Sequence, residues 1–140
     1  MDFTELLNRI EQSLLAASEA LKAFTPGKIE STLKDGGDPV TKADVLLDSI
    51  LKDILLQEGE GWLSEETKDD HSRLDRERVW IVDPLDGTRE FIQGIPEWCI
   101  SVAYIVNGRP EAAGICSPTA GQTFLGTRNT GETLNGKPKK

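Results

Sequence analysis

Little in this sequence can cross-link the chain or bind a soft metal: there are two cysteines, Cys99 and Cys116, and one histidine, His71. Two cysteines are too few for a secreted disulfide framework or a zinc site. A lone histidine inside the charged stretch Thr67 to Arg78 reads as a surface residue on a solvated loop. Positive charge is also scarce. Sixteen Lys and Arg against 24 Asp and Glu leave a formal charge of −8 and a pI near 4.7. That balance argues against a nucleic-acid polymer or an anionic membrane as partner, since both call for a basic face. No apolar run approaches the ~20 residues of a membrane span, and the N-terminus MDFTELLNRI has neither a basic leader region nor an unbroken apolar stretch. The expected location is the cytoplasm. Internal repeats, low-complexity tracts and domain boundaries are lacking as well. The 140 residues, 37% hydrophobic and 29% charged, suffice for one domain with a core that needs no disulfides.

Apolar residues at spacings of three and four (Phe3, Leu6, Leu7, Ile10, Leu14, Leu15, Leu21) predict a helix from about Asp2 to Ala23, capped by Asp2 and Glu5 and stopped by Pro26-Gly27. Lys28 to Pro39 is polar, contains Gly36 and Gly37, and reads as an exposed loop. A second helix is predicted from Thr41 to Gln57 on the stripe Leu47, Ile50, Leu51 and Ile54. Trp62-Leu63 is a short strand that delivers Ser64, Glu65 and Glu66. Strands follow at Val79 to Val82, Trp98 to Val106, Glu111 to Cys116 and Thr123 to Leu125, with a short helix over Thr88 to Gln93. Two helices and then a largely antiparallel sheet make an α+β fold.

Asn107-Gly108 is a two-residue hairpin signal. With Val106 facing Arg109, Pro110 falls at a non-hydrogen-bonded position, and counting outwards sets Cys99 opposite Cys116. The two are expected to be reduced neighbours on one sheet face. The closing segment ETLNGKPKK shows no further helix or strand and reads as a truncated end.

The chemistry concentrates in Val79 to Phe91, VWIVDPLDGTREF, where an apolar strand runs into Asp83 and Asp86, three positions apart, and then Gly87 and Thr88. Carboxylates at a strand exit suit a hard cation such as Mg2+. A Pro84-Leu85 turn can aim both, with the Leu85 carbonyl, at a common point, and the helix start behind them suits a phosphate. Asp-Pro and Asp-Gly are equally ordinary turn dipeptides, and Asp86 could simply cap the helix. Glu65 and Glu66 could be surface acids. Thr41 and Asp44 fit a T-x-x-D capping box. The haloacid-dehalogenase type of phosphatase sets its aspartates two apart, which does not fit the spacing here.

Read together, GDPVTKAD (Gly37 to Asp44), LSEE (Leu63 to Glu66) and WIVDPLDGT (Trp80 to Thr88) resemble the inositol monophosphatase family of Mg2+-dependent phosphate monoesterases. GDPVTKAD, ERVW and the REF after DGT look most like its 3′(2′),5′-bisphosphate nucleotidase, CysQ-type branch. The resemblance implies the N-terminal half of an αβαβα sugar-phosphatase fold and two or three Mg2+ per complete site. Glu65, Asp83 and the Leu85 carbonyl would hold one ion, and Asp83 with Asp86 part of another. Glu66 would stand behind them with no direct metal bond. Asp44 and Thr88 would orient and deprotonate the attacking water. Gly87 and Thr88, with Glu65 beside them, would hold the phosphate. The implied reaction is in-line attack of a metal-activated water on a small phosphate monoester, without a phosphoenzyme. Bound cations would then supply the positive field that an acidic chain lacks. The substrate would be 3′-phosphoadenosine 5′-phosphate or an inositol phosphate, and a homodimer is compatible with the resemblance.

Family members are roughly twice this length, and their second half carries a further aspartate ligand in a W-D-x-x-A-like segment that has no counterpart here. Residues 1–140 are therefore expected to be the N-terminal metal-binding domain, with the C-terminal domain absent. The competing expectation is a catalytically incomplete metal-binding or interaction domain.

Overall fold

A computed structural model describes residues 2–33 and 39–138. Helix α1 (Phe3–Leu21) begins where Asp2 accepts a hydrogen bond from the Glu5 amide at 2.8 Å. It buries Leu6, Ile10, Leu14, Ala17 and Leu21, whereas Leu15 lies off the stripe at 53% exposure. Two short strands, β1 (Ser31–Leu33) and β2 (Pro39–Thr41), pair antiparallel. The segment expected to be only loop is thus partly a ribbon, because extended backbone on either side satisfies its own polar groups across the pair. Residues 34–38, which include Gly36 and the first two residues of GDPVTKAD, lie outside the described residues.

Helix α2 (Lys42–Leu55) opens on a full capping box between Thr41 and Asp44 and buries Ala43, Leu47, Leu51 and Leu55. Each of the three leucines contributes about 1.5–3 kcal/mol by leaving water. The chain then enters a seven-stranded sheet whose strands neighbour one another in chain order: β3 (Gly61–Ser64), β4 (Arg78–Asp86), β5 (Cys99–Val106), β6 (Arg109–Ser117), β7 (Gln122–Thr127), β8 (Gly131–Leu134) and β9 (Lys137–Pro138). Of these neighbours, β3 and β4 run parallel and the rest antiparallel. Between them, a 3-10 turn at Ser72–Asp75 interrupts the expected loop, and His71 precedes it with a 71% exposed side chain. Helix α3 (Thr88–Gln93) has the expected bounds.

Both long helices pack on one face of the sheet, α1 over β6 and α2 over β4, around Trp80, Val82, Ile100 and Val102. The opposite face carries Ile81 and Ile115, 42% and 45% exposed. Gly114 makes the helix-sheet approach possible, since a Cβ there would lie 2.6 Å from Ile10 Cγ2 and 2.8 Å from Leu14 Cδ1.

Two expectations are corrected. Val106 does face Arg109, and Ile105 faces Pro110, but the register then shifts and Tyr104 faces Ala112. The extra residue is a bulge at Glu111. Cys116 therefore opposes Ile100, and Cys99 pairs with Asp86, so the alternation of the pleat sends the two thiols to opposite faces. Both are free. The closing segment, expected to hold no strand, forms β8 and β9 around Asn135 and Gly136, whose φ values of 51° and 83° make the same left-handed turn as Asn107-Gly108. Among the described residues no helix is long and apolar enough to cross a membrane.

Candidate metal and phosphate site

Strand β4 pairs regularly with β5 from Arg78 to Asp83 and then skips to Asp86 opposite Cys99. The skipped residues, Pro84 and Leu85, are buried, and Leu85 is only 3% exposed. Anchoring the Leu85 side chain in the core turns the backbone at the strand exit and aims its carbonyl at Thr88, whose hydroxyl lies 3.0 Å away. Gly87 completes the turn with φ 96°, and a Cβ there would fall 2.5 Å from the Glu97 carbonyl oxygen. No other residue fits both the angle and the space.

Asp44 is 0% exposed and divides its two oxygens between two tasks. Oδ2 accepts from the Thr41 amide at 2.8 Å and the Thr41 hydroxyl at 2.5 Å, and Oδ1 lies 2.7 Å from Thr88 Oγ1. The capping reading and the site reading of Asp44 are therefore not rivals: one oxygen caps α2 and the other reaches a residue 44 positions away. The Thr88 hydroxyl has one proton and two acceptors, and the carboxylate is the stronger.

Glu65 follows directly on Ser64, whose parallel partner is Val82, so the register carries it beside Asp83. Both line one depression of about 470 Å³ on the sheet face away from the helices, together with Leu63, Ile81 and Ser101. Asp86 lines a different hollow, with Gly87, Glu90, Glu97 and Cys99. The structure thus brings together Asp44, Thr88 and the Leu85 carbonyl, and separately Glu65 and Asp83. Among the described residues no three His, Cys, Asp or Glu side chains converge on a point that would hold an ion.

The field at this strand exit is negative. Burial first, and then the charges of Asp86 and Asp83, push the Cys99 thiol up to about 11, with its Sγ 3.8 Å from Asp86 Oδ2. An all-oxygen set of two carboxylates and a carbonyl within such a field fits a hard divalent cation, which needs only one or two protein carboxylates when water and phosphate complete its shell. Two linkages gave no signal in the sequence pattern. Thr67 Oγ1 donates to the buried Asp48 Oδ2 at 2.6 Å, and Glu60 receives both Trp80 Nε1 and Tyr104 Oη at 2.9 Å.

Residues 3–140 match the model of the Inositol monophosphatase family. The chain belongs to the inositol monophosphatase family. Among family relatives, Nus factor SuhB of Salmonella typhimurium is 32% identical over 113 residues, covering 80% of this chain and 42% of its own. Inositol monophosphatase of Mesembryanthemum crystallinum is 34% identical over 105 residues, 72% of this chain and 39% of its own. The crystal structure of CysQ from Bacteroides thetaiotaomicron, a bacterial member of the family, superimposes with a TM-score of 0.79 at 29% identity, covering 94% of this chain and 49% of that one. The chain therefore spans about two fifths of these curated relatives and about half of the solved one. The α+β arrangement inferred from the sequence is the N-terminal part of the family fold.

Proposed function

We propose that this chain is the N-terminal metal- and phosphate-binding domain of a Mg2+-dependent phosphate monoesterase, and that its substrate is a 3′(2′),5′-bisphosphate nucleotide such as 3′-phosphoadenosine 5′-phosphate. The observation that carries the reading is the 2.7 Å contact between Thr88 Oγ1 and the buried Asp44 Oδ1 at the exit of an aspartate-bearing strand. Glu65, Asp83 and the Leu85 carbonyl would hold one Mg2+, and Asp83 with Asp86 would contribute to a second. Bound Mg2+ supplies Lewis acidity toward water and phosphoryl oxygens.

The chain's own residues do the rest. With its proton directed to Asp44, the Thr88 hydroxyl keeps lone pairs with which to accept a hydrogen bond from a water and orient it. As that water attacks, Thr88 takes its proton and passes its own to Asp44 Oδ1. Thr41 holds the other oxygen of Asp44 and so keeps the carboxylate aimed. The backbone of Gly87 and Thr88 receives the phosphate oxygens, and Glu65 lies in the separate depression that it shares with Asp83.

Inositol phosphate is the second reading, favoured by the 34% identity to the Mesembryanthemum crystallinum enzyme of that name. The likeness to CysQ supports the nucleotide. The Salmonella relative is called a Nus factor; for this chain, the charge of −8 supports a small phosphate ester over a nucleic-acid polymer. A cytoplasmic location and a homodimer complete the proposal. The test is phosphate release from both substrates with Mg2+, comparing this chain, a version extended to the length of its relatives, and Asp83→Asn in each. The extended version should prefer the bisphosphate nucleotide and lose at least ~100-fold on Asp83→Asn. Full activity without divalent metal, or in Asp83→Asn, rejects the mechanism. A preference for inositol phosphate rejects the branch and keeps the family. An extended version inactive on both leaves this chain as a metal-binding or interaction domain.

A further inference from the structure

Asp48 is 7% exposed and outside the machinery described so far. Its Oδ2 accepts from the Thr67 hydroxyl at 2.6 Å, and its Oδ1 is fully enclosed with no hydrogen-bond partner among the described residues. A buried carboxylate with so few donors is destabilising in itself. Neither core packing nor helix capping accounts for it. What it does hold is informative. Thr67 closes the turn that leaves β3: its amide donates to the Ser64 carbonyl at 3.4 Å, and the Glu66 amide donates to Ser64 Oγ at 3.2 Å. Glu65 sits inside that turn.

We infer that Asp48 is a positioning residue that, through Thr67, holds the turn from Ser64 to Thr67 and with it the Glu65 carboxylate at the cation site. The inference rests on the reading of Glu65 as a cation-holding residue. Asp44 and Asp48 are four apart on α2 and leave the helix on one buried face. One rigid element therefore sets both halves of the site, Asp44 toward Thr88 and, one turn on, Asp48 toward the loop that carries Glu65. The link is a hydroxyl donating to an acceptor. An amide oxygen in place of the carboxylate can serve it, and a methyl group cannot.

Two readouts test this, the first in metal-free protein. Amide hydrogen exchange at Glu66 and Thr67 should accelerate on the order of tenfold in Thr67→Val and in Asp48→Ala. The Kd for Mg2+ alone, by calorimetric titration, should rise roughly tenfold in both. The double variant should be no worse than either single one, because both remove the same bond. Asp48→Asn and Thr67→Ser should stay near the parent in both readouts, which a general loss of packing would not produce. If Asp48→Ala does not fold, Thr67→Val at its partly exposed position carries the test. Unchanged exchange in Thr67→Val overturns the inference. So does faster exchange with unchanged Mg2+ affinity in a protein where Glu65→Gln weakens binding. Mg2+ affinity that is indifferent to Glu65→Gln shows instead that the cation reading of Glu65 has failed, and the inference falls with it.

Discussion

Replacing Thr88 by valine keeps the volume and shape of the side chain and removes only its hydroxyl. Asp44, 0% exposed, then loses one of three side-chain and backbone donors, the contact at 2.7 Å, and keeps the two from Thr41 at 2.8 and 2.5 Å. A hydrogen bond to a charged acceptor contributes about 1.5–3 kcal/mol. Because Thr41 still holds the carboxylate, the lower part of that range applies, about 1.5–2 kcal/mol. In a domain of this size each kcal/mol moves Tm by about 3–5 °C, so the midpoint should fall on the order of 6 °C. Thermal unfolding followed by circular dichroism measures it. Thr88→Ser retains the donor and should unfold within about 2 °C of the parent. In a version of the chain competent for hydrolysis, Thr88→Val should also slow turnover by roughly 10²–10⁴-fold, the usual contribution of a positioned proton-transfer group. Thr88→Val unfolding at the parent midpoint would show that the link between Asp44 on α2 and the strand exit carries no energy.

Gly87→Ala should lose about 3 kcal/mol or more in urea unfolding, because φ is 96° and the new Cβ would meet the backbone at Glu97 and Trp98, which cannot move aside. Gly114→Ala should lose about 1–3 kcal/mol, since the new Cβ meets the ends of the Ile10, Leu14 and Leu125 side chains. Combined with Leu14→Ala, which makes room, its effect should shrink, and strict additivity would count against the close approach. Tyr104, the single tyrosine, should titrate near 12 in the folded protein by ultraviolet absorbance, raised by burial and then by its hydrogen bond and charge repulsion with Glu60, against a smaller opposing effect of Arg78. With a raised folded pKa, its contribution to stability is complete below the unfolded value of about 10 and is lost as pH rises through 12. Glu60→Gln should bring the titration down toward 10, and a native midpoint already at 10 would contradict the contact.

How much could be read without coordinates varies with how local the cause is. The bounds of α3, the cap on α1 and the turn at Asn107-Gly108 follow from neighbouring residues, and all three were legible. The bulge at Glu111 was not. It depends on how β5 and β6 satisfy each other over many residues, and a single extra residue moved Cys116 from opposite Cys99 to opposite Ile100. Strands β8 and β9 were missed despite an Asn-Gly pair as strong as the first, because segments so short hold only by adding to the edge of an existing sheet.

The same division runs through the site. Order and spacing along the chain determined the residue types: carboxylates at a strand exit, a glycine where only glycine turns, a threonine at a helix start and an acid in a capping box. These are local statements about dihedral angles, caps and donor chemistry, and a sequence encodes them directly. Which of those residues meet was decided only by tertiary structure. Packing α2 across β4 brings Asp44 Oδ1 to Thr88, and the parallel register of β3 and β4 sets Glu65 and Asp83 on one face while the bulge carries Asp86 to another hollow. Distances of a few ångströms between residues some 20 or 40 positions apart are set by the layering of helices on a sheet, and that layering is a property of the whole core.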